Sequence, residues 1–193
     1  LTGLLAMPLL WTQMSLEQRS RVTALFEQAG PAQSATGDAY QLRQAKQVLA
    51  LGGVWGSLLS GQAVDDPAAY HLPEARSDFI FAVLGERFGL AGIAAVLGLF
   101  ALLIWQGLAI AAATREPFGR LVAVGLVSLI AVQVSINTAM TVGLLPITGL
   151  SLPLVSYGGS GLVTQGLLLG LVINVGLRPG YEVAKEPFRY AVA

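Results

Sequence analysis

The chain has no cysteine, one histidine, and charge on only 11% of its 193 residues. Without cysteine there are no disulfides, no thiolate chemistry and no cysteine-ligated metal, although no compartment follows from that alone. The single histidine, His71, lies in a polar stretch and reads as solvated rather than reactive. Positive and negative residues balance at 11 each, so there is no basic footprint for nucleic acid. The charge deficit is the decisive absence: soluble domains carry about 25% charged residues.

Apolar residues fill the space that charge leaves. They make up 54% of the chain, and the mean hydropathy is +0.68. The composition predicts an all-α, polytopic membrane helical bundle. Residues 1–11 form an apolar run interrupted by Pro8. The run is shorter than the roughly 20 residues a spanning helix needs, and reads as a truncated first helix. Residues 12–47 are polar, with a short surface helix expected at 16–28 whose apolar face is Leu16, Val22, Leu25 and Phe26. About four spans then follow, at 48–64, 79–113, 121–145 and 162–177. The first is short and carries Gly52, Gly53, Gly56 and Gly61, a composition suited to tight helix packing or a break.

With four alternating spans, Arg19, Arg21, Arg43, Lys46, Arg115, Arg120, Arg178, Lys185 and Arg189 fall on one side. Only Arg76 and Arg87 fall on the other. The positive-inside rule makes the first side cytoplasmic, including the 12–47 loop and the C-terminus. The polar loop 65–78 and the stretch 145–161 then share the outer face.

The stretch 145–161 contains two prolines, four glycines and five hydroxyl side chains between two apolar segments. Pro146 and Pro153 each remove a backbone donor, so no continuous helix can run through it. Irregular backbone at membrane depth is tolerated where protein buries it or water bathes it, so the stretch predicts a polar re-entrant or turn segment. In the 65–78 loop, Glu74 and Asp78 are four residues apart and share a face if the chain there is helical. Asp78 directly precedes the apolar Phe79-Ile80-Phe81. It suits either a helix cap or a partly desolvated carboxylate able to act as general base or metal ligand. In the span at 121–145, Gln133, Ser135, Asn137, Thr138 and Thr141 either bond between helices or line a pocket.

Two long motifs resemble a known family. Pro146-x-Thr148-Gly149-x-x-Leu152-Pro153-x-x-Ser156-Tyr157-Gly158-Gly159-Ser160 is similar to the signature of the SEDS proteins (shape, elongation, division and sporulation). So is Leu72-Pro73-Glu74-Ala75-x-x-Asp78-Phe79-Ile80-Phe81-Ala82-Val83. The resemblance covers essentially all of residues 1–193 and implies the C-terminal half of one ten-helix membrane domain. Asn137-x-x-Met140-Thr141-x-Gly143-Leu144 looks more like RodA than FtsW. Gly56-Ser57-Leu58 stands where the family usually has Gly-Lys-Gly, Arg76-Ser77 replaces a His-Thr or His-Asn pair, Arg87 a second glutamate and Gly161 a second serine.

The resemblance implies a peptidoglycan glycosyltransferase. Such an enzyme polymerises lipid II at the outer face of the bacterial cytoplasmic membrane, beside a class B penicillin-binding protein of the elongation or division machinery. Asp78 carries over as the essential loop aspartate, assigned as general base, and Glu74 as the neighbouring motif glutamate, which either helps hold a divalent cation, magnesium or manganese, or orients Asp78. Arg76, Asn137, Ser156, Tyr157 and Ser160 are the expected substrate contacts. Two other functions fit a polar cavity and broken helices: a flippase for lipid-linked precursors, and a non-catalytic scaffold that activates a penicillin-binding protein.

Overall fold

The computed structural model describes residues 11–27, 37–61, 72, 75 and 77–178. Among them every regular element is helical: α1 (Leu16–Glu27), α2 (Asp38–Leu51), α3 (Gly56–Ser60), α4 (Ile80–Ala113), α5 (Pro117–Thr141) and α6 (Gly159–Leu177). The chain divides into two compact units, residues 1–96 with 133–157, and residues 97–132 with 158–193.

The first unit is built around one apolar cluster. Leu42, Ala45 and Val48 recur every three residues and form a stripe along α2. They pack with Leu72, with Phe79 and Ala82 at the start of α4, with Met140 of α5, and with Ile147. Phe79 and Met140 are fully buried. In α1 the expected apolar face is only partly realised. Ala24 is buried and Val22 and Leu25 are half-buried, but Leu16 is 84% exposed. Leu16 is the first residue of the helix.

The expected span at 48–64 is corrected by the structure, and the cytoplasmic placement of residues 12–47, which needed that crossing, falls with it. Helix α2 stops at Leu51, a turn covers residues 52–55, and α3 runs only from Gly56 to Ser60, with Gly61 left-handed after it. Backbone crowding accounts for the interruption. A Cβ at Gly52 would lie 1.8 Å from the carbonyl oxygen of Gly85, and one at Gly56 would lie 2.2 Å from that of Arg87. The glycines therefore let two backbones touch, in line with the packing role expected of them.

That contact breaks α4 as well. At 34 residues the helix would measure about 51 Å, far beyond a bilayer core of about 30 Å. It is interrupted at Gly89, whose φ of 65° and ψ of −164° are not helical. The break frees two backbone donors, and the 52–55 turn accepts both. Leu90 N–H bonds to Gly53 O at 3.0 Å and Ala91 N–H to Val54 O at 3.3 Å. Residues 80–88 thus form a short helix beside the core, and residues 90–113 a crossing of about 36 Å.

In the second unit the end of α4, the start of α5, and α6 pack through small residues. Gly107 faces Val127, and Gly176 faces Ile110. Pro117 occupies the first turn of α5, where a missing N–H costs nothing. The Glu116 carboxylate accepts the N–H groups of Phe118 and Gly119 there. A cleft of about 240 Å³ lies between this turn and the end of α6, lined by Thr114, Glu116, Phe118, Asn174 and Arg178 among others.

Three helices, Ile80–Ala113, Pro117–Thr141 and Gly159–Leu177, are long and apolar enough to cross a membrane. Their most apolar windows are only 11%, 28% and 11% buried, so most of that surface needs an apolar solvent. Trp105, Leu99 and Leu167 are each at least two-thirds exposed. This is a multi-pass membrane protein, with three spanning helices among the described residues where the sequence suggested about four.

Candidate active site

The site in the first unit is built where three segments meet at Ser77 and Asp78. The anchor is the core itself. Phe79, the next residue, is fully buried, and its carbonyl accepts the first helical bonds of α4 from Ala82 and Val83 at 3.0 and 3.3 Å. Asp78 is half-buried. Its backbone is thus fixed on one side by a buried ring and the start of a helix.

Asn137 of α5 approaches from a second direction. It is 0% exposed, and its Nδ2 donates to the Asp78 carbonyl at 2.8 Å and to the Leu150 carbonyl at 2.7 Å. Both acceptors are carbonyls, which fixes the orientation of the amide. Its Oδ1 is buried and has no hydrogen-bond partner. The hydroxyls of Thr138 and Thr141 bond back to their own helix, at Val134 O and Asn137 O. Of the five polar side chains expected to bond between helices or line a pocket, Asn137 bridges other segments.

The third segment is 145–157, which contains no regular element, as its prolines and glycines predict. The sulfur of Met140 accepts the Thr148 N–H at 3.3 Å. Gly149 has φ +70°, and a Cβ on it would sit 3.8 Å from the Asp78 Oδ2, which places this turn beside the carboxylate. Ser156, 6% exposed, accepts the Leu152 N–H at 2.8 Å and donates to the Ser77 carbonyl at 2.5 Å. Leu154 is held at φ +62°, a left-handed conformation uncommon for a branched side chain.

Ser77 and Asp78, at the end of the 65–78 loop, and the 145–157 segment, expected to share a membrane face, are therefore in direct contact. Of the residues expected to contact substrate, Asn137 and Ser156 use these polar groups on the protein's own backbone. Tyr157 is 80% exposed beside them. Ser160 is exposed in the first turn of α6, in the second unit, where its carbonyl accepts the Thr164 hydroxyl. Glu74, Arg76 and His71 lie outside the described residues. The sequence reading missed Gly149 and Met140, although both stand inside the motifs that carried the resemblance. It also missed the exchange of backbone hydrogen bonds around Gly89, for which the only advance signal was the cluster of glycines.

No three His, Asp or Glu side chains are grouped among the described residues as a ready-made metal cage. Magnesium does not need one, since it is usually held by one or two carboxylates together with substrate phosphates. Asp78 is the carboxylate that the described residues offer at this junction.

A half-buried carboxylate, held by packed helices next to an irregular segment in a multi-pass membrane protein, defines the class: an integral membrane protein with a polar site at one end of its helices. The chain belongs to the FtsW/RodA/SpoVE family, whose model, described as "Cell cycle protein", matches residues 1–178. Stage V sporulation protein E of Bacillus subtilis is 37% identical over 155 residues, covering 80% of this chain and 42% of that protein. A probable peptidoglycan glycosyltransferase FtsW of Geobacter sulfurreducens is 34% identical over 177 residues, covering 91% and 46%. Another, of Halomonas elongata, is 38% identical over 179 residues, covering 91% and 44%. The names these relatives carry are SpoVE and FtsW, whereas the 137–144 motif leaned toward RodA. A solved structure described as "Structural coordination of polymerization and crosslinking by a peptidoglycan synthase complex" contains a chain that matches with a TM-score of 0.69 and 28% identity. The match covers 94% of this chain and 49% of that one. The chain spans a little under half the length of the curated relatives it matches.

Proposed function

We propose that the protein to which this chain contributes is a peptidoglycan glycosyltransferase that polymerises lipid II, with Asp78 as its general base. The observation that carries the reading is the half-buried carboxylate of Asp78, on a held backbone beside Gly149, at the junction of the two family motifs. Relatives named as probable peptidoglycan glycosyltransferases support it.

The reaction joins the 4-hydroxyl of one lipid-linked disaccharide to the anomeric carbon of another. A sugar hydroxyl is a poor nucleophile near neutral pH. A carboxylate within hydrogen-bond reach takes its proton as the bond forms, worth about 10²–10⁴-fold in rate. An α-linked donor and β-linked product need one inverting displacement and one base. The leaving lipid pyrophosphate carries concentrated negative charge. Arg76 and a divalent cation held by Glu74 are the groups proposed to meet it, the cation supplying charge stabilisation to the departing phosphates. Tyr157 and Ser160 are proposed as sugar or lipid contacts, on their exposure.

Orientation follows from charge. Arg115 and Arg120 lie at the turn between α4 and α5, and Arg178 ends α6, all at the helix ends opposite Asp78 along the chain. The positive-inside rule puts them, and the C-terminus, in the cytoplasm and the Asp78 site outside. A class B penicillin-binding protein is the proposed partner, in keeping with the polymerization and crosslinking complex named for the structural neighbour. The test is glycan polymerisation by the full-length protein with its partner, comparing the unmutated enzyme with Asp78→Asn. The variant should fold in membranes and make no glycan; normal glycan synthesis by it refutes the assignment. Translocation of lipid II without polymerisation would instead support a flippase.

A further inference from the structure

We infer that Ser156 and Asn137 are positioning residues for Asp78. Together they hold the two peptide planes that flank its Cα, and so set the direction in which its carboxylate is presented. This rests on the proposal that Asp78 is the general base.

The peptide unit is planar, so fixing a carbonyl fixes the plane it belongs to. The Ser77 carbonyl lies in the plane before Asp78 and accepts from Ser156 Oγ at 2.5 Å. The Asp78 carbonyl lies in the plane after it and accepts from Asn137 Nδ2 at 2.8 Å. With both planes held, φ and ψ of Asp78 are set, and its side chain leaves a Cα of fixed orientation. Phe79 adds a buried anchor immediately after, at 0% exposure.

The two clamps share a frame. Ser156 also accepts from Leu152 N–H at 2.8 Å, and Asn137 also donates to Leu150 O at 2.7 Å. The Asp78 backbone, the turn at 150–156 and helix α5 therefore shift together or not at all. The clamping side chains are themselves buried, at 6% for Ser156 and 0% for Asn137, so water does not compete for these bonds. A residue that acts in this way should affect the rate of the bound complex and leave substrate affinity alone.

The experiment is steady-state lipid II polymerisation by the full-length protein with its partner, for Ser156→Ala, Ser156→Thr, Asn137→Ala and Asp78→Asn, each with thermal unfolding of the purified protein. Misplacing a catalytic group by about 1 Å costs about 10²-fold, so Ser156→Ala should lose about 10- to 100-fold in kcat. Its KM should stay within about twofold of the unmutated value, the pattern of an interaction that matters only in the transition state. Ser156→Thr keeps the hydroxyl and should recover most of the loss. Asn137→Ala should show the same split; if it does not fold, the Ser156 series decides. A raised KM with kcat retained makes Ser156 a substrate contact and overturns the inference. So do unchanged kinetics in Ser156→Ala, or unfolding of both Ser156 variants, which would make the hydroxyl a support of the fold. Full activity in Asp78→Asn overturns the base assignment and this inference with it. Inactive Asp78→Asn beside fully active Ser156→Ala overturns this inference alone.

Discussion

The hydroxyl of Ser156 donates to the carbonyl of Ser77 at 2.5 Å, across 79 positions of sequence. Ser156 stands in the Ser156-Tyr157-Gly158-Gly159-Ser160 motif and Ser77 beside the loop aspartate, so the two most recognisable stretches of the chain are bonded to each other. Each motif is long because it encodes one half of a junction.

Replacing Gly89 or Gly56 by alanine should abolish accumulation of the folded protein. Their φ angles are +65° and +75°, and a Cβ would meet backbone atoms at 2.4 and 2.2 Å. Positive-φ strain and overpacking together cost about 2–5 kcal/mol, a large part of the stability of an ordinary domain. Gly125, with nothing within 4 Å of its Cβ position, is the control. Gly125→Ala should be neutral or stabilising by up to about 1 kcal/mol. Membrane accumulation and unfolding midpoints of the three variants check this; normal behaviour of Gly89→Ala would refute the close crossing.

Removing the cap of α5 should have a smaller, measurable effect. The Glu116 carboxylate serves two backbone donors at the helix start. Glu116→Ala should cost about 1 kcal/mol, while Glu116→Gln, which retains a side-chain acceptor, should cost less. Equal unfolding midpoints for Glu116→Ala and the unmutated protein would contradict the capping.

Leu154 offers a test of sign. It is held at φ +62°. Glycine would relieve about 1–2 kcal/mol of left-handed strain and give back about 0.5–1 kcal/mol in backbone entropy. Leu154→Gly should therefore be neutral to mildly stabilising. Leu154→Val, β-branched, should be destabilising. The opposite order in thermal unfolding would show that the Leu154 side chain, not its backbone, holds the turn.

Glu74→Gln should raise the magnesium concentration needed for half-maximal polymerisation by about tenfold, the usual size of a metal-shell substitution. An unchanged magnesium dependence would exclude Glu74 as a ligand.

Much of this fold was legible because its signals are local. The charge deficit gave a membrane protein, and apolar runs gave α4, α5 and α6 to within a few residues. Pro146 and Pro153 gave an irregular segment where the structure has one. The span expected at 48–64 failed because hydropathy registers apolar length and not whether a backbone is continuous. Gly52 and Gly56 looked like packing glycines, which they are, but what they pack against is backbone from residues 85–89, and no window of sequence contains both sides of that contact. The site behaved in the same way. Asp78 was singled out by its motif, and it stands beside the irregular segment. The partners of Asn137 and Ser156 were not legible, because a buried polar side chain and an exposed one look alike in sequence. Only long-range geometry shows that these two hold carbonyls.

The crossing at Gly89 also bears on how the chain enters the membrane. A helix of this length cannot thread through as one rod, and its break leaves the N–H groups of Leu90 and Ala91 without intrahelical acceptors. Those acceptors, Gly53 O and Val54 O, belong to a turn made more than 30 residues earlier in synthesis. The ribosome thus delivers the receiving side of the junction first. By the time the donors of α4 emerge, both acceptor carbonyls have already been synthesised, so translation supplies the receiver before the donors it satisfies.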